Sequence, residues 1–142
     1  EIYGKMYDSF KPELDKALQE AGGIAKYMGA RESSQTVETL RSCFAILFPT
    51  YFECECFAGT ALDAFSARIP IIANDWLYNS EVIDSGKNGF IYPFRDNDKA
   101  AEMLYELYMN KELYENIQNG CEESMSRFST DVVMEEFNKL IK

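Results

Sequence analysis

An α/β fold built on a doubly wound parallel sheet, with helices on both faces, is predicted by three features of the chain. Short apolar runs, clearest at residues 44–48 and 71–73, alternate with amphipathic segments about a dozen residues long. Parallel strands need crossover connections, and that alternation supplies them. The 142 residues, 46% hydrophobic and 14% aromatic, suit one globular domain spanning 1–142. A chain of that size buries about 70% of the surface it exposes when unfolded, enough for a core without disulfides or metal.

Taken in order, residues 13–21 place Leu14, Ala17, Leu18 and Ala21 on one helical face, and Gly22-Gly23 ends the helix. Residues 24–28 alternate as a short strand up to Gly29. Residues 36–43 predict a second helix with Val37, Leu40 and Cys43 on one side. The continuous run 44–48 stops at Pro49, as expected of a strand buried on both faces. A helix starting near Gly59 carries Ala61, Leu62, Phe65 and Ile69 inward until Pro70 breaks it. Residues 71–73 form the next strand, 81–83 a helical turn closed by Gly86, and 89–93 a further strand. Helices over 96–110, 111–126 and 130–142 complete the chain, with Asp98 and Thr130 as expected N-caps.

Composition removes several function classes. A net charge of -10 opposes a polyphosphate backbone or an anionic membrane, so no nucleic-acid partner is expected. The absence of histidine excludes imidazole acid–base catalysis, Ser-His triads and most zinc sites. Cys43, Cys54, Cys56 and Cys121 lack metal-type spacing, since Cys54-Glu55-Cys56 is too tight for a CxxC motif. They read as reduced structural thiols, and no metal or other cofactor is expected. No run of 18 apolar residues marks a transmembrane segment. The expected location is the cytoplasm, with a peripheral position at a membrane surface also open to the protein.

Open parallel sheets bind ligands beyond the carboxyl ends of their strands. The richest such edge is 49–63: a strand end, a polar and aromatic loop, the small pair Ala58-Gly59, and a helix N-terminus with Thr60 in its first turn. Free N–H groups at Gly59 and Thr60, aided by the helix dipole, suit a diphosphate. Glu55 and Asp63 bracket the turn with seven residues between them. They would reach different parts of an extended ligand instead of forming an acid–base pair, and a carboxylate suits a ribose or sugar diol. Pattern alone favours a blander reading, in which Glu55 is solvated and Asp63 complements the helix dipole.

The segment Glu55-Cys56-Phe57-Ala58-Gly59-Thr60-Ala61-Leu62-Asp63-Ala64-Phe65, followed by Ile69-Pro70-Ile71-Ile72-Ala73-Asn74-Asp75, resembles the acidic-x7-acidic signature of glycosyltransferase family 4 and its following strand. Asn79-Ser80-Glu81-Val82-Ile83 and Gly86-Lys87-Asn88-Gly89-Phe90 are similar to that family's next landmarks, in the same order. The resemblance covers residues 44–107. It implies the Rossmann-like C-terminal half of a GT-B enzyme that transfers sugar from a nucleotide-sugar, with retention and without metal. It also implies that Glu55, the catalytic candidate, meets hydroxyls of the donor sugar. Gly59 and Thr60 would meet the diphosphate, Asp63 the ribose, and Phe57 and Ala58 would line the sugar pocket through their backbone. The departure is Asp63, where the family usually has Glu.

Other residues read more plainly. Trp76 and Tyr78 suit loop packing, Tyr105, Tyr108 and Tyr114 a helix face, Arg31 and Glu32 a solvated strand end, and Arg68 an ordinary charged helix end. The resemblance further implies an upstream strand–loop–helix with a basic pair on the donor phosphates, and an N-terminal acceptor domain, neither of which is in this chain. The expected consequences are a truncated first strand, no turnover by this chain alone, and a homo-oligomer formed through unpaired strand edges. The expected role of the whole enzyme is bacterial surface-polysaccharide synthesis with a saccharide or lipid-linked acceptor. A nucleotide-sugar epimerase-like domain and a non-catalytic nucleotide-sugar-binding module are the alternatives.

Overall fold

The computed structural model describes residues 1–141 apart from 55, 56 and 58. Two compact units are present, Glu1–Thr36 and Val37–Lys142. In the first, β1 (Ile2–Tyr3) pairs in parallel with β2 (Tyr27–Gly29), and α1 (Lys11–Glu20) connects them. Pro12 sits in the first turn of α1, where a helix needs no N–H. Gly22 and Gly23, with φ of 57° and 89°, turn the chain out of the helix through left-handed conformations. The strand expected over 24–28 begins only at Tyr27, because Ile24 is 92% exposed and has no sheet face to cover.

After α2 (Ser33–Arg41), the second unit runs β3 (Ile46–Phe48), α3 (Gly59–Ala67), β4 (Ile71–Asn74), α4 (Asn79–Val82) and β5 (Gly89–Tyr92). It ends with α5 (Asn97–Met109), α6 (Lys111–Arg127) and α7 (Thr130–Leu140). Its sheet has the order β3-β4-β5 with both pairings parallel. The architecture is α/β with parallel sheets and helices on both sides, as the sequence predicts. Ile71, Ile72 and Ala73 are fully buried on central β4. β3 departs from the two-faced burial expected of it: it is the edge of the three-stranded sheet and its Leu47 is 54% exposed.

Packing against the sheet is tightest where α6 arrives. A Cβ built on Gly120 would lie 2.0 Å from the Lys87 carbonyl oxygen, so only glycine admits that approach. Beside it, the buried Cys121 thiol donates to the carbonyls of Asn88 (3.3 Å) and Ile69 (3.5 Å). Asn88, also buried, donates to Ser124 Oγ at 2.9 Å and accepts from the Asp84 N–H at 2.9 Å. One helix face is thus fixed to a turn by direct contact and by satisfied polar groups.

Two expected N-caps are corrected. Asp96, not Asp98, accepts from the Lys99 N–H (3.0 Å), and Ser129, not Thr130, accepts from the Val132 N–H (3.4 Å). In each case the capping residue has non-helical backbone angles, whereas Asp98 and Thr130 already lie inside the helix. Arg68 is also no ordinary helix end. It leaves α3 with φ of 59° while its guanidinium reaches Asn119 Oδ1 and Glu122.

Candidate functional site

Parallel register brings the ends of the strands level, Phe48 beside Ala73 and Asn74 beside Tyr92. The chain segments leaving those ends build the candidate site. The loop after β3 lines an open cleft of about 610 Å³, walled by Pro49, Thr50, Tyr51, Phe52, Glu53 and Cys54. Trp76, after β4, steadies that loop by donating from Nε1 to the Phe52 carbonyl at 3.1 Å.

Gly59, Thr60 and Asp63 are brought together in the first turns of α3; Glu55 and Ala58 lie outside the described residues. None of Phe57, Gly59, Thr60 or Asp63 lines the 610 Å³ cleft. Phe57 is 46% exposed and sits edge-on to Phe128, with ring centroids 5.6 Å apart. Gly59 is exposed, and a Cβ built on it would meet nothing within 4 Å, so packing gives no reason for a glycine there. Asp63 is half-buried and makes no hydrogen bond or ion pair with the described residues. Burial pushes its carboxyl above the ordinary carboxylate range of 3.8, because desolvation disfavours the charged form. A partly desolvated carboxylate can accept hydrogen bonds from hydroxyls, and the start of a helix carries free N–H groups and the positive end of its dipole.

The segments after β4 and β5 hold further features, of which the sequence reading singled out only Trp76 and Tyr78. Trp76 stacks on Phe94 (4.9 Å, 23°), Tyr51 meets Phe94 edge-on (6.4 Å), and the Arg95 guanidinium lies 5.0 Å from the Phe94 ring centroid. Trp76 therefore packs, as its loop position suggests, whereas Tyr78 is 51% exposed. Asn74 is 2% exposed; its Nδ2 donates to the Thr50 carbonyl at 2.6 Å, and its Oδ1 has no partner. Leu77 and Arg95, neither of them glycine, hold φ of 45° and 65°. The one signal available in sequence was a polar Asn ending an otherwise apolar strand.

Among the described residues no group of three or more acidic or cysteine side chains could hold a metal ion. No helix among them is long and apolar enough to cross a membrane. Tyr105 and Tyr108 form an exposed helix face, while Tyr114 stacks on Phe44 (4.7 Å) and donates to its carbonyl.

A family model described as glycosyl transferases group 1 matches residues 3–123. An exopolysaccharide phosphotransferase of Streptomyces coelicolor is 29% identical over 87 residues, covering 61% of this chain and 9% of that protein. Among solved structures, Anabaena HepE in complex with UDP matches with a TM-score of 0.85 at 15% identity, covering 98% of this chain and 39% of that one. Sucrose-phosphate synthase from Thermosynechococcus elongatus matches with a TM-score of 0.82 at 15% identity, over 98% of this chain and 36% of that one. The chain thus spans only a minor part of each of these proteins, and the structural likeness establishes the α/β fold.

Proposed function

The chain belongs to the glycosyl transferases group 1 family, matched over residues 3–123, and on that premise we propose that it is the nucleotide-sugar-binding domain of a retaining glycosyltransferase. The observation that carries this reading is the start of α3. A Cβ added to Gly59 at the helix start would meet nothing within 4 Å, and one turn later the half-buried Asp63 has no partner among the described residues. In this reading the N–H groups of Gly59 and Thr60 hold the donor diphosphate, and Asp63 accepts from the ribose hydroxyls. Glu55 accepts from hydroxyls of the transferred sugar, and the backbone at Phe57 and Ala58 lines that sugar's pocket. The UDP in the HepE structure supports a nucleotide ligand for this fold. The exopolysaccharide relative supports a saccharide acceptor in bacterial surface-polysaccharide assembly.

The leaving diphosphate develops charge, and stabilising such charge is commonly the largest catalytic term. No Lys or Arg occurs between residues 49 and 63, so in this reading the turn's own residues offer the diphosphate backbone N–H groups and a helix dipole. Turnover in this reading needs cations brought to the diphosphate from outside this turn.

Saturation-transfer NMR with UDP-, GDP- and ADP-glucose tests the reading on this chain and on an Asp63→Ala variant. One of the three is expected to give base, ribose and sugar signals that the variant loses. Equal signals from both proteins, or none from any nucleotide sugar at millimolar concentration, would remove the donor site from this turn.

A further inference from the structure

The geometry points to a second binding site: the cavity beyond the ends of β4 and β5 is a subsite for a sugar ring that carries a carboxylate. Its identification as a saccharide site rests on the glycosyltransferase reading; its preferred charge and shape come from the cavity itself. The cavity is about 350 Å³, near the small end of the roughly 300–1,000 Å³ range of ligand sites. That size suits one ring and not an extended nucleotide-sugar. It shares Pro49 and Tyr51 with the larger cleft beside β3, so its occupant would lie next to a ligand there.

Three observations define the ligand. First, the walls supply aromatic surface from Tyr51 and Phe94, with Phe94 backed by the stacked Trp76 ring. Such surfaces accept the apolar C–H face of a sugar. Secondly, Asn74 brings a buried Oδ1 with no partner. Its amide orientation is dictated by the Thr50 carbonyl, which only the NH2 group can satisfy, so the free atom is an acceptor. An orphaned buried acceptor is destabilising, and a ligand hydroxyl donated at this wall would satisfy it.

Thirdly, the charge of the cavity runs against that of the chain. The protein has 24 acidic and 14 basic residues, yet among the described residues the cavity lining includes Arg95 and no carboxylate. The Arg95 guanidinium makes no ion pair with the described residues and rests on Phe94. Its backbone is held at φ 65°, a conformation costly for any side chain but tolerable where it aims one. Repulsion from the remaining acids is screened beyond about 8 Å at physiological salt. Locally, a guanidinium fork matches a carboxylate bidentately.

The test titrates the 15N-labelled chain with methyl glucuronide, methyl glucoside and inorganic phosphate, and separately with UDP-glucose. Glucuronide is expected to shift the amides of Asn74, Arg95 and Asn97 saturably and to bind at least tenfold more tightly than glucoside. The Arg95→Gly variant, which suits the left-handed backbone and so keeps the fold, is expected to abolish that tenfold preference. Glucoside binding as tightly as glucuronide, or glucuronide affinity unchanged by Arg95→Gly, would overturn the site. So would equal shifts of the same amides by phosphate, which would mean an adventitious ion only. The UDP-glucose arm reads the amides of Gly59 to Asp63, so failure of the donor reading appears there and nowhere else.

Discussion

Replacing Gly59 by alanine separates a glycine kept for folding from one kept for a ligand. Gly59 begins α3, its φ lies outside the left-handed range, and an added Cβ would meet nothing within 4 Å. On folding grounds alone the substitution should therefore help. Alanine narrows the unfolded ensemble and should stabilise the chain by about 0.4–1 kcal/mol, a rise in Tm of about 1–4 °C for a domain of this size. The same methyl would stand in front of the N–H groups assigned to the diphosphate. A hydrogen bond to a charged group is worth about 1.5–3 kcal/mol, so losing one should weaken nucleotide-sugar binding by about tenfold or more. Thermal melting paired with a UDP-glucose titration reads both effects in one protein. A Gly59→Ala variant that is more stable and binds with unchanged affinity would refute the placement of the diphosphate at this turn.

Gly120→Ala should do the opposite, costing about 3 kcal/mol or more, because its Cβ would fall 2.0 Å from the Lys87 carbonyl oxygen and 2.8 Å from the carbonyl carbon. Urea unfolding should show a lower midpoint at unchanged m, and a loss under about 0.5 kcal/mol would mean the helix and turn are not so closely apposed. Asp63→Asn should stabilise the free chain at pH 7. The native carboxyl titrates above 3.8, so the native state holds its proton longer than the unfolded state, and wild-type stability falls as pH rises through that window. The advantage of the variant should vanish below the unfolded value; an advantage that grows toward acid would reverse the assignment. Burial pushes the Cys121 thiol up to about 12, so iodoacetamide at pH 8 should modify exposed Cys54 promptly and Cys121 only on unfolding. Peptide mass spectrometry distinguishes the two, and prompt labelling of Cys121 would contradict its burial.

How much of this was legible in the sequence depended on whether a residue's role is local. The run Ile71-Ile72-Ala73 reads as a buried strand because each of its side chains is covered, and β4 is where the structure agrees best. Ile24 is equally apolar, yet it is 92% exposed, since apolar character cannot reveal that no neighbouring element covers it. The caps slipped by one or two residues because several good capping residues stand in a row and only backbone angles choose among them. Arg68 looked unremarkable until its left-handed backbone explained why a glycine would fit there. The donor turn proposed at 55–63 could be named from the sequence because its residues are contiguous. The cavity at Asn74 and Arg95 could not be, because it gathers the ends of three strands with many residues between them.

Matched pairs within one fold distinguish structural from ligand-directed residues better than any of these residues does alone. Gly120 is required by a carbonyl pressed against it; Gly59 faces open space and needs another reason to be small. Asn88 and Asn74 are both buried asparagines next to strands. Asn88 satisfies its amide on both ends, through Asp84 and Ser124, and thereby holds α6 to its turn. Asn74 satisfies one end only and keeps a free acceptor at the wall of a cavity. Since an unpaired buried polar group is destabilising, a fold that can complete Asn88 but leaves Asn74 incomplete concentrates its cost at the strand ends where ligands bind. Gly59 and Asp63 on α3, and Asn74 and Arg95 at β4 and β5, are the positions where folding alone leaves the chemistry unfinished.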